Sequence, residues 1–212
     1  MKTVVIIPAA GLGTRMASAA GAKEKKPAAS KQFVELKGIP ILIHTLKKFA
    51  ISAEVNDIYI ALRQAEITPF RERLQREAPE IFEKKTVLLE GGETRQQSVA
   101  NALAVVRANA DDVVLVHDAV RPFVTEEIIH DVIAAAQKYG AAITGIPAMD
   151  TVKQVERTAD GAIIKATIPR EKIVLAQTPQ GFRYDVLRKA FDEAVADGFV
   201  GTDEASLVRA HV

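Results

Sequence analysis

The stretch TVVIIPAAGLGTRM, which runs from Thr3 to Met16, decides the fold of this chain. Its first five residues are all β-branched, a composition typical of a buried strand, and Pro8 ends that strand. The loop that follows has almost no side chains, so its backbone N–H groups can approach a phosphate closely. Arg15 adds a fixed positive charge. We predict a nucleotide-triphosphate loop at the carboxyl end of the first strand of an α/β sheet. Its small residues are Ala9, Ala10, Gly11 and Gly13.

Two other glycine-rich loops are excluded by the residues that follow. A dinucleotide-binding loop needs glycine or alanine where this chain has Met16, and the P-loop sequence Gly-Lys-Ser/Thr is missing. An ordinary turn between a strand and a helix stays open on this stretch alone. Arg15 and the motifs further along the chain favour a nucleotide.

The chain is long enough for one sizeable α/β domain, or for one domain with an appendage, and its composition permits a full hydrophobic core. The chain has 212 residues, of which 48% are hydrophobic, and its net charge is +1. A surface for nucleic acid or for acidic membranes is therefore not expected. The basic run Lys23–Lys26 is more typical of a solvated lid. Cysteine is absent, which excludes disulfides, thiolate catalysis and cysteine-bound metals.

Hydropathy predicts a soluble protein of the cytoplasm. No apolar run approaches the ~18 residues of a membrane span. The N-terminus enters a strand at once and lacks the features of a signal peptide.

A second glycine loop lies in the motif GGETRQQSV, from Gly91 to Val99. It follows a predicted strand, and a helix is predicted from Thr94 or Arg95 to about Val106. Ser98 falls near the first turn of that helix, where its hydroxyl could reach a base edge. A surface serine without a role is an equally good interpretation of this stretch alone.

A buried strand from Asp112 to Val116 ends in the motif HDAVRPF. Asp118, directly past the strand, suits a metal ion or a ribose hydroxyl. A helix cap is the alternative, but the next predicted helix, Glu126–Tyr139, has its own cap at Thr125. Arg121, which precedes a proline, forms a rigid charged corner suited to a phosphate.

Two alternating segments late in the chain predict a β-hairpin. Its strands are Thr151–Glu156 and Ala162–Thr167, joined by a turn around Asp160-Gly161. An isolated two-stranded hairpin is marginal in water, so a second copy of the chain is its simplest neighbour. Elsewhere strands alternate with helices, which predicts a mainly parallel sheet with helices on both faces.

The motifs together resemble one family, the 2-C-methyl-D-erythritol 4-phosphate cytidylyltransferases of the non-mevalonate isoprenoid pathway. The first motif is shared with many sugar-phosphate nucleotidyltransferases, whereas the ordered set is specific and covers nearly the whole chain. The resemblance implies a single Rossmann-like nucleotidyltransferase domain over residues 1–212, with a protruding β-hairpin arm at about 149–172. In chain order the motifs are PAAGLGTRM, Lys31-Gln32-Phe33, GGETRQQSV, HDAVRPF, DTVK, QTPQGF and TDEASL.

The reaction that the resemblance implies is transfer of a cytidylyl group from CTP to methylerythritol phosphate, with Mg²⁺ as cofactor and pyrophosphate as product. Arg15 and Lys31 match the family's residues that stabilise the transition state. The residues that match its triphosphate loop are Ala9, Ala10, Gly11 and Gly13. Those that match its cytosine site are Gly92, Glu93 and Ser98, and those near the ribose and the metal are Asp118 and Ala119. Those that match its methylerythritol phosphate site are Arg121, Thr151, Arg170, Thr178 and Thr202.

The residue types suit this chemistry. The nucleophile is a phosphate oxygen that is already anionic, so no general base is required. Positioning and cations neutralise the charge that builds on the phosphates. In this family the hairpin arm, which carries Thr151 and Arg170, crosses to the partner subunit of a homodimer. That agrees with the expectation that the hairpin needs a neighbour.

The chain departs from the family pattern in two places. The pattern continues past TDEASL into a strand with Asn-Ile-Lys and a further helix, and that lysine contacts substrate phosphate. This sequence ends at Val212, soon after the start of a predicted helix with Thr202 as its N-cap. Either the sequence is cut short or the protein lacks that lysine and strand, and we expect one sheet edge to lack its cover. The loop from Ala19 to Ser30 is also longer than in the family pattern.

Two rival functions share these motifs. A cytidylyltransferase for another polyol phosphate, such as ribitol 5-phosphate, is the nearer one, but PAAG, DTVK and TDEAS favour methylerythritol phosphate. A non-catalytic CTP sensor is the other. It is disfavoured because Arg15 and Lys31 are both present, and a sensor needs no residues for the transition state.

Overall fold

The computed structural model describes residues 1–11 and 30–212. The strands in these ranges are β1 Thr3–Pro8, β2 Glu35–Leu36, β3 Ile39–Pro40, β4 Asp57–Leu62, β5 Lys85–Glu90, β6 Val113–Val116, β7 Ala141–Pro147, β8 Val152–Thr158, β9 Gly161–Ile168 and β10 Val174–Arg183. The α-helices are α1 Ile41–Ile51, α2 Gln64–Glu77, α3 Arg95–Val105, α4 Glu126–Tyr139, α5 Tyr184–Asp197 and α6 Glu204–His211. Short 3₁₀ turns cover Lys31–Phe33, Pro79–Glu83 and Arg170–Lys172. None of the helices described here has the length and apolar character that a membrane crossing requires.

A six-stranded sheet forms the centre, with the strand order β5-β4-β1-β6-β10-β7. The neighbours β5, β4, β1 and β6 are parallel, and β10 is antiparallel to both β6 and β7. The predicted α/β fold with a mainly parallel sheet is therefore confirmed. Because parallel strands end at the same edge of a sheet, the loops after β1, β5 and β6 lie along one edge.

Side-chain alternation along β1 divides the core between the two faces of the sheet. Val5 and Ile7 pack on one face, Val4 and Ile6 pack on the other, and all four are fully buried. Burial on both faces explains why the strand is a continuous apolar run. The helices that cover the Val5 face are α1, α2 and α4, and those that cover the Val4 face are α3, α5 and α6.

Among the described strands, β8 and β9 pair only with each other and form the antiparallel hairpin that the sequence predicts for the arm. Its apolar side chains are left largely uncovered by residues 1–11 and 30–212: Val155 is 43% exposed, Ile163 54% and Ile164 61%. The hairpin is thus held together by its ladder of backbone hydrogen bonds more than by a core of its own.

The start of α6 differs from the prediction. The N-cap is Asp203 and not Thr202, because the Asp203 side chain accepts from the N–H of Ser206 at 2.9 Å in a capping box. The other carboxylate oxygen of Asp203 accepts from the Gln180 side chain of β10 at 2.8 Å. This long-range contact fixes Asp203 as the cap, and local spacing alone could not reveal it.

Candidate active site

The loop after β1 is fixed to its neighbours through backbone groups. The N–H of Ala9 donates to the carbonyl of Ala61 at 2.7 Å, and the Ala9 carbonyl accepts from the Gln32 side chain at 2.6 Å. Gly11 is exposed, and among the described residues a Cβ atom added to it would meet nothing within 4 Å. The loop is therefore held on its inner side and open on its outer side, which suits close approach of a phosphate.

The two glycine loops touch each other. The N–H of Gly91 donates to the carbonyl of Leu62 at 2.7 Å, which carries the loop after β5 across the end of β4. A Cβ atom on Gly91 would lie 2.6 Å from the Cβ of Ala10 and 2.9 Å from the Oγ of Ser98. Only glycine fits between these atoms, so the sequence pattern at Gly91 reflects packing between the loops.

Ser98 is neither a surface serine nor oriented towards solvent. It is 2% exposed, and its Oγ accepts from the N–H of Gly92 at 3.0 Å and donates to the carbonyl of Thr94 at 2.9 Å. The Gln97 side chain accepts from the N–H of Glu93 at 3.0 Å. The first turn of α3 therefore holds the backbone of the predicted cytosine site in place, and both earlier interpretations of Ser98 missed this role.

Lys31 begins the 3₁₀ turn that lies beside the β1 loop. It is half-buried, and the next residue, Gln32, is 4% exposed and bonds to Ala9 as described. This bond anchors the turn, so Lys31 has a fixed backbone next to the predicted triphosphate loop. Gly13 and Arg15, which the sequence assigns to the same loop, lie outside the described residues.

Asp118 follows β6, and Thr178 of β10 holds its backbone. The Thr178 hydroxyl accepts from the N–H of Asp118 at 3.1 Å and also lies 3.1 Å from Nδ1 of His117. Nε2 of His117 donates to the carbonyl of Arg121 at 3.1 Å. Burial lowers the pKa of His117 to about 4, so the imidazole is neutral at pH 7. Because Nε2 carries the proton, Nδ1 accepts from the Thr178 hydroxyl. Thr178 and Asp118, both predicted from the sequence, are thus in direct contact.

Two guanidinium groups face the Asp118 carboxylate. Nε of Arg121 lies 2.9 Å from Oδ2, and Nε of Arg95 lies 3.4 Å from Oδ1. Burial disfavours the charged carboxylate, but the hydrogen bond from Arg121 and the charge of Arg95 outweigh it and hold the pKa of Asp118 below its ordinary value. The helix that follows is capped by Thr125, whose side chain accepts from the N–H of Ile128, so Asp118 is not a helix cap.

The side chains near Asp118 can be compared with the ligands that the expected Mg²⁺ requires. Residues 1–11 and 30–212 hold no group of three or more His, Asp or Glu side chains that could bind a metal. Both oxygens of Asp118 already face guanidinium groups. Mg²⁺ in nucleotide sites is commonly held by one or two carboxylates together with phosphate oxygens. A single carboxylate such as Asp118 therefore fits a metal that arrives with a nucleotide and takes its other ligands from the phosphates.

Arg95 and Glu204 are two charged residues that the sequence does not assign to the site. Nη1 of Arg95 lies 2.6 and 2.8 Å from the carboxylate oxygens of Glu204, while its Nε faces Asp118. Both residues lie within the quoted motifs GGETRQQSV and TDEASL. Their place inside these motifs was the signal available in the sequence, whereas the burial of Glu204, which is 1% exposed, is visible only in the structure.

The remaining predicted residues occupy three places. Ala119 is buried, and its carbonyl accepts from the Thr45 hydroxyl at 2.9 Å. Thr151 and Arg170 are exposed at the base of the hairpin, where Nη1 of Arg170 donates to the carbonyl of Met149 at 2.7 Å. Within the described ranges, no hydrogen bond or ion pair joins these two residues to Asp118 or its neighbours. Thr202 is exposed just before α6.

Known proteins resemble this chain over nearly its full length. The family model described as 2-C-methyl-D-erythritol 4-phosphate cytidylyltransferase matches residues 3–211. The protein of that name from Acidobacterium capsulatum is 57% identical over 209 residues, which are 98% of this chain and 84% of the relative. Its counterpart in Solibacter usitatus is 50% identical over 208 residues, which are 98% of this chain and 83% of the relative.

A solved structure agrees with the sequence matches. The crystal structure of the Francisella tularensis 2-C-methyl-D-erythritol 4-phosphate cytidylyltransferase superposes with a TM-score of 0.78 at 35% identity. The superposition covers 99% of this chain and 86% of that one. The chain therefore belongs to the 2-C-methyl-D-erythritol 4-phosphate cytidylyltransferase family and is a nucleotidyltransferase of isoprenoid biosynthesis.

Proposed function

We propose that the family's reaction takes place at the loops after β1, β5 and β6. There the chain transfers a cytidylyl group from CTP to 2-C-methyl-D-erythritol 4-phosphate, forms 4-diphosphocytidyl-2-C-methyl-D-erythritol and releases pyrophosphate. The observation that carries this proposal is the contact between the two glycine loops beside Asp118. Gly91 touches Ala10, and the helix that follows the Gly91 loop brings Arg95 to Asp118. One nucleotide can therefore span all three loops. The proposed location is the cytoplasm, which supplies CTP.

The chemistry calls for cations and positioning. A phosphate oxygen of methylerythritol phosphate forms a bond to the α-phosphorus of CTP, and the bond from that phosphorus to the bridging oxygen breaks to release pyrophosphate. The attacking oxygen carries no proton that a base must remove. Lys31, on its anchored turn beside the β1 loop, supplies charge to the phosphates. Arg15 is proposed for the same role on the resemblance alone.

The proposed cytosine site is rigid before the nucleotide arrives. The N–H groups of Gly92 and Glu93 are already bonded to Ser98 and Gln97, both on the first turn of α3. The loop therefore has one backbone arrangement to offer to a base, and little conformational freedom is lost on binding. Specificity for cytosine would follow from the backbone groups that this loop leaves exposed.

Mg²⁺ is the proposed cofactor, and Asp118 would hold it together with phosphate oxygens of CTP. When bound, the metal would neutralise charge on the phosphates. Arg121 and Arg95 keep the Asp118 carboxylate ionised and oriented, which is the form that a hard cation requires.

The hairpin arm is proposed to reach a second copy of the chain and to complete its site with Thr151 and Arg170. Exposed apolar residues on the arm support this, and they continue onto the nearby ends of β7 and β10. Ile146 is 52% exposed and pairs with Leu175, which is 53% exposed. Apolar surface of this extent is typical of an interface between subunits.

Mixing two inactive variants tests the arm's role. Lys31→Ala removes a cation from the site at the loops after β1, β5 and β6. Arg170→Ala removes a different cation, the one on the arm. If the arm acts in the partner's site, a mixed dimer has one intact site, and about a quarter of wild-type activity returns after subunit exchange. If the arm acts in its own chain, no mixed dimer has an intact site and activity stays at the level of the variants. As a control, Lys31→Ala mixed with the Lys31→Ala/Arg170→Ala double variant should recover nothing.

A further inference from the structure

Arg95 and Glu204 form a buried ion pair next to the proposed site. Nη1 of Arg95 donates to both carboxylate oxygens of Glu204, at 2.6 and 2.8 Å. Burial raises the pKa of the Glu204 carboxyl against the opposing charge of Arg95. A buried carboxylate without its partner is costly, so Glu204 fixes the position of the Arg95 side chain.

The other side of the same guanidinium faces the proposed site. Nε of Arg95 lies 3.4 Å from Oδ1 of Asp118, and Arg121 lies 2.9 Å from the other oxygen. Glu204, Arg95, Asp118 and Arg121 therefore form a row of alternating charges. Each oxygen of Asp118 has one arginine, which sets the direction of the carboxylate from both sides.

The first turn of α3 joins this row to the rest of the site. Gln96 accepts from the N–H of Gly201 and donates to the carbonyl of Phe199, each at 3.0 Å. The next two residues, Gln97 and Ser98, hold the Gly92 loop. One helical turn thus connects the nucleotide loop, Asp118 and the segment that leads into α6.

We propose that Glu204 is a positioning residue for the transfer reaction. It holds Arg95 where Arg95 orients Asp118 while Arg121 keeps the second oxygen. Without this anchor, Arg95 would leave its position beside Oδ1 of Asp118 and turn towards solvent or the phosphates of CTP, and Asp118 would lose its fixed direction. The proposal rests on the proposed function, in which Asp118 would hold Mg²⁺ beside the phosphates of CTP, and Glu204 acts only through Arg95.

Glu204→Gln is the first test, because it keeps the size of the side chain and removes its charge. We expect kcat to fall about tenfold or more, while KM for CTP changes less than about threefold, since the two glycine loops keep their contacts. The matched control is Glu193→Gln on α5, whose exposed carboxylate lies 3.9 Å from Lys189. Its kcat and KM should equal those of wild type. An unchanged kcat in Glu204→Gln would overturn the proposal.

The same change in an Asp118→Asn background shows whether Glu204 acts through Asp118. If it does, the loss of kcat caused by Glu204→Gln shrinks to less than about twofold in that background. A residue with only a structural role would cause the same loss in both backgrounds, and that result would contradict the proposal.

Arg95→Lys is the alternative variant if Glu204→Gln folds poorly. It keeps a charge near Glu204 but lacks the Nε–H that faces Asp118, so we expect the same loss of kcat.

A readout without turnover separates this proposal from the proposed function. The NMR signal of the Arg95 Nε–H should shift on Asp118→Asn in the wild-type chain and should not shift in Glu204→Gln. If the signal shifts in the wild-type chain but not in Glu204→Gln, and the chain releases no pyrophosphate, the proposed function is refuted. The coupling between Glu204 and Asp118 through Arg95 is still supported in that case. Equal shifts in both chains would overturn the link, whatever the activity.

Discussion

Gly91 and Ala10 bring the two glycine loops into contact so close that a Cβ atom on Gly91 would lie 2.6 Å from the Cβ of Ala10. Gly91→Ala must therefore displace one of the loops. We expect the free energy of unfolding to fall by about 1–3 kcal/mol, as for other overpacked sites. CTP affinity should fall about tenfold, because both loops contribute to the proposed nucleotide site. Denaturant unfolding and titration calorimetry with CTP measure the two effects.

Gly11→Ala is the matched control for that result. A Cβ atom on Gly11 meets none of the other described residues within 4 Å, so an added methyl group should leave the free energy of unfolding within about 0.5 kcal/mol of wild type. CTP affinity should still fall, because the methyl group stands where a phosphate is proposed to approach. Wild-type CTP affinity in Gly11→Ala would contradict the assignment of this loop to the triphosphate.

Ser98→Ala should loosen the predicted cytosine site. The N–H of Gly92 would lose its acceptor, which costs about 1–3 kcal/mol of stability if the group stays buried. We expect weaker CTP binding, with a larger change in affinity than Asn101→Ala produces. Asn101 lies on the same helix and donates to the carbonyl of Glu90 at 3.1 Å, so it controls for a lost hydrogen bond that does not hold the Gly92 loop. Equal affinities for the two variants would contradict the role of Ser98.

Lys31→Ala should lower the rate of transfer about a hundredfold to a thousandfold while the fold survives. The reason is the loss of a cation that stabilises charge on the phosphates in the transition state. Lys189→Ala is the control, since the Lys189 side chain is 58% exposed on α5, away from the sheet edge that carries the loops. If the rate of folded, purified Lys31→Ala falls by less than about tenfold, Lys31 does not stabilise the transition state as assigned.

His117 should make stability depend on pH. Its pKa in the folded chain is about 4 against an ordinary value of 6.5, so between these values the unfolded chain binds a proton that the folded chain does not. The stabilisation is complete above pH 6.5 and is lost as the pH falls towards 4. At pH 5 about 2 kcal/mol should be lost relative to pH 7. His117→Asn should show a pH dependence smaller by about that amount in urea unfolding, and an unchanged pH dependence would refute this role.

The parts of the fold that local sequence encodes were predicted correctly. Five β-branched residues and Pro8 indicate β1, and the cap at Thr125 indicates the start of α4. The partners of the site residues were not predictable in this way. Arg95 meets Glu204 across 109 positions, and Asp118 meets Thr178 across 60. Those contacts depend on the order of strands in the sheet, which no local pattern contains.

Ser98 and the start of α6 show the same limit at short range. The bond from Gly92 to Ser98 spans six positions and depends on the shape of the turn between them. Asp203 was missed as the N-cap because Gln180, far away in sequence, holds its second oxygen. The residue types predicted the kind of chemistry at this edge of the sheet. The hydrogen-bond partners that hold each residue in place could be identified only from the structure.

Pyrophosphate release with CTP and Mg²⁺ tests the central claim most directly. Methylerythritol phosphate and ribitol 5-phosphate are offered in parallel, with CTP binding measured on the same preparation. The proposed function predicts release with methylerythritol phosphate and none above background with ribitol 5-phosphate. Release with ribitol 5-phosphate alone, or CTP binding without release from either substrate, would contradict it.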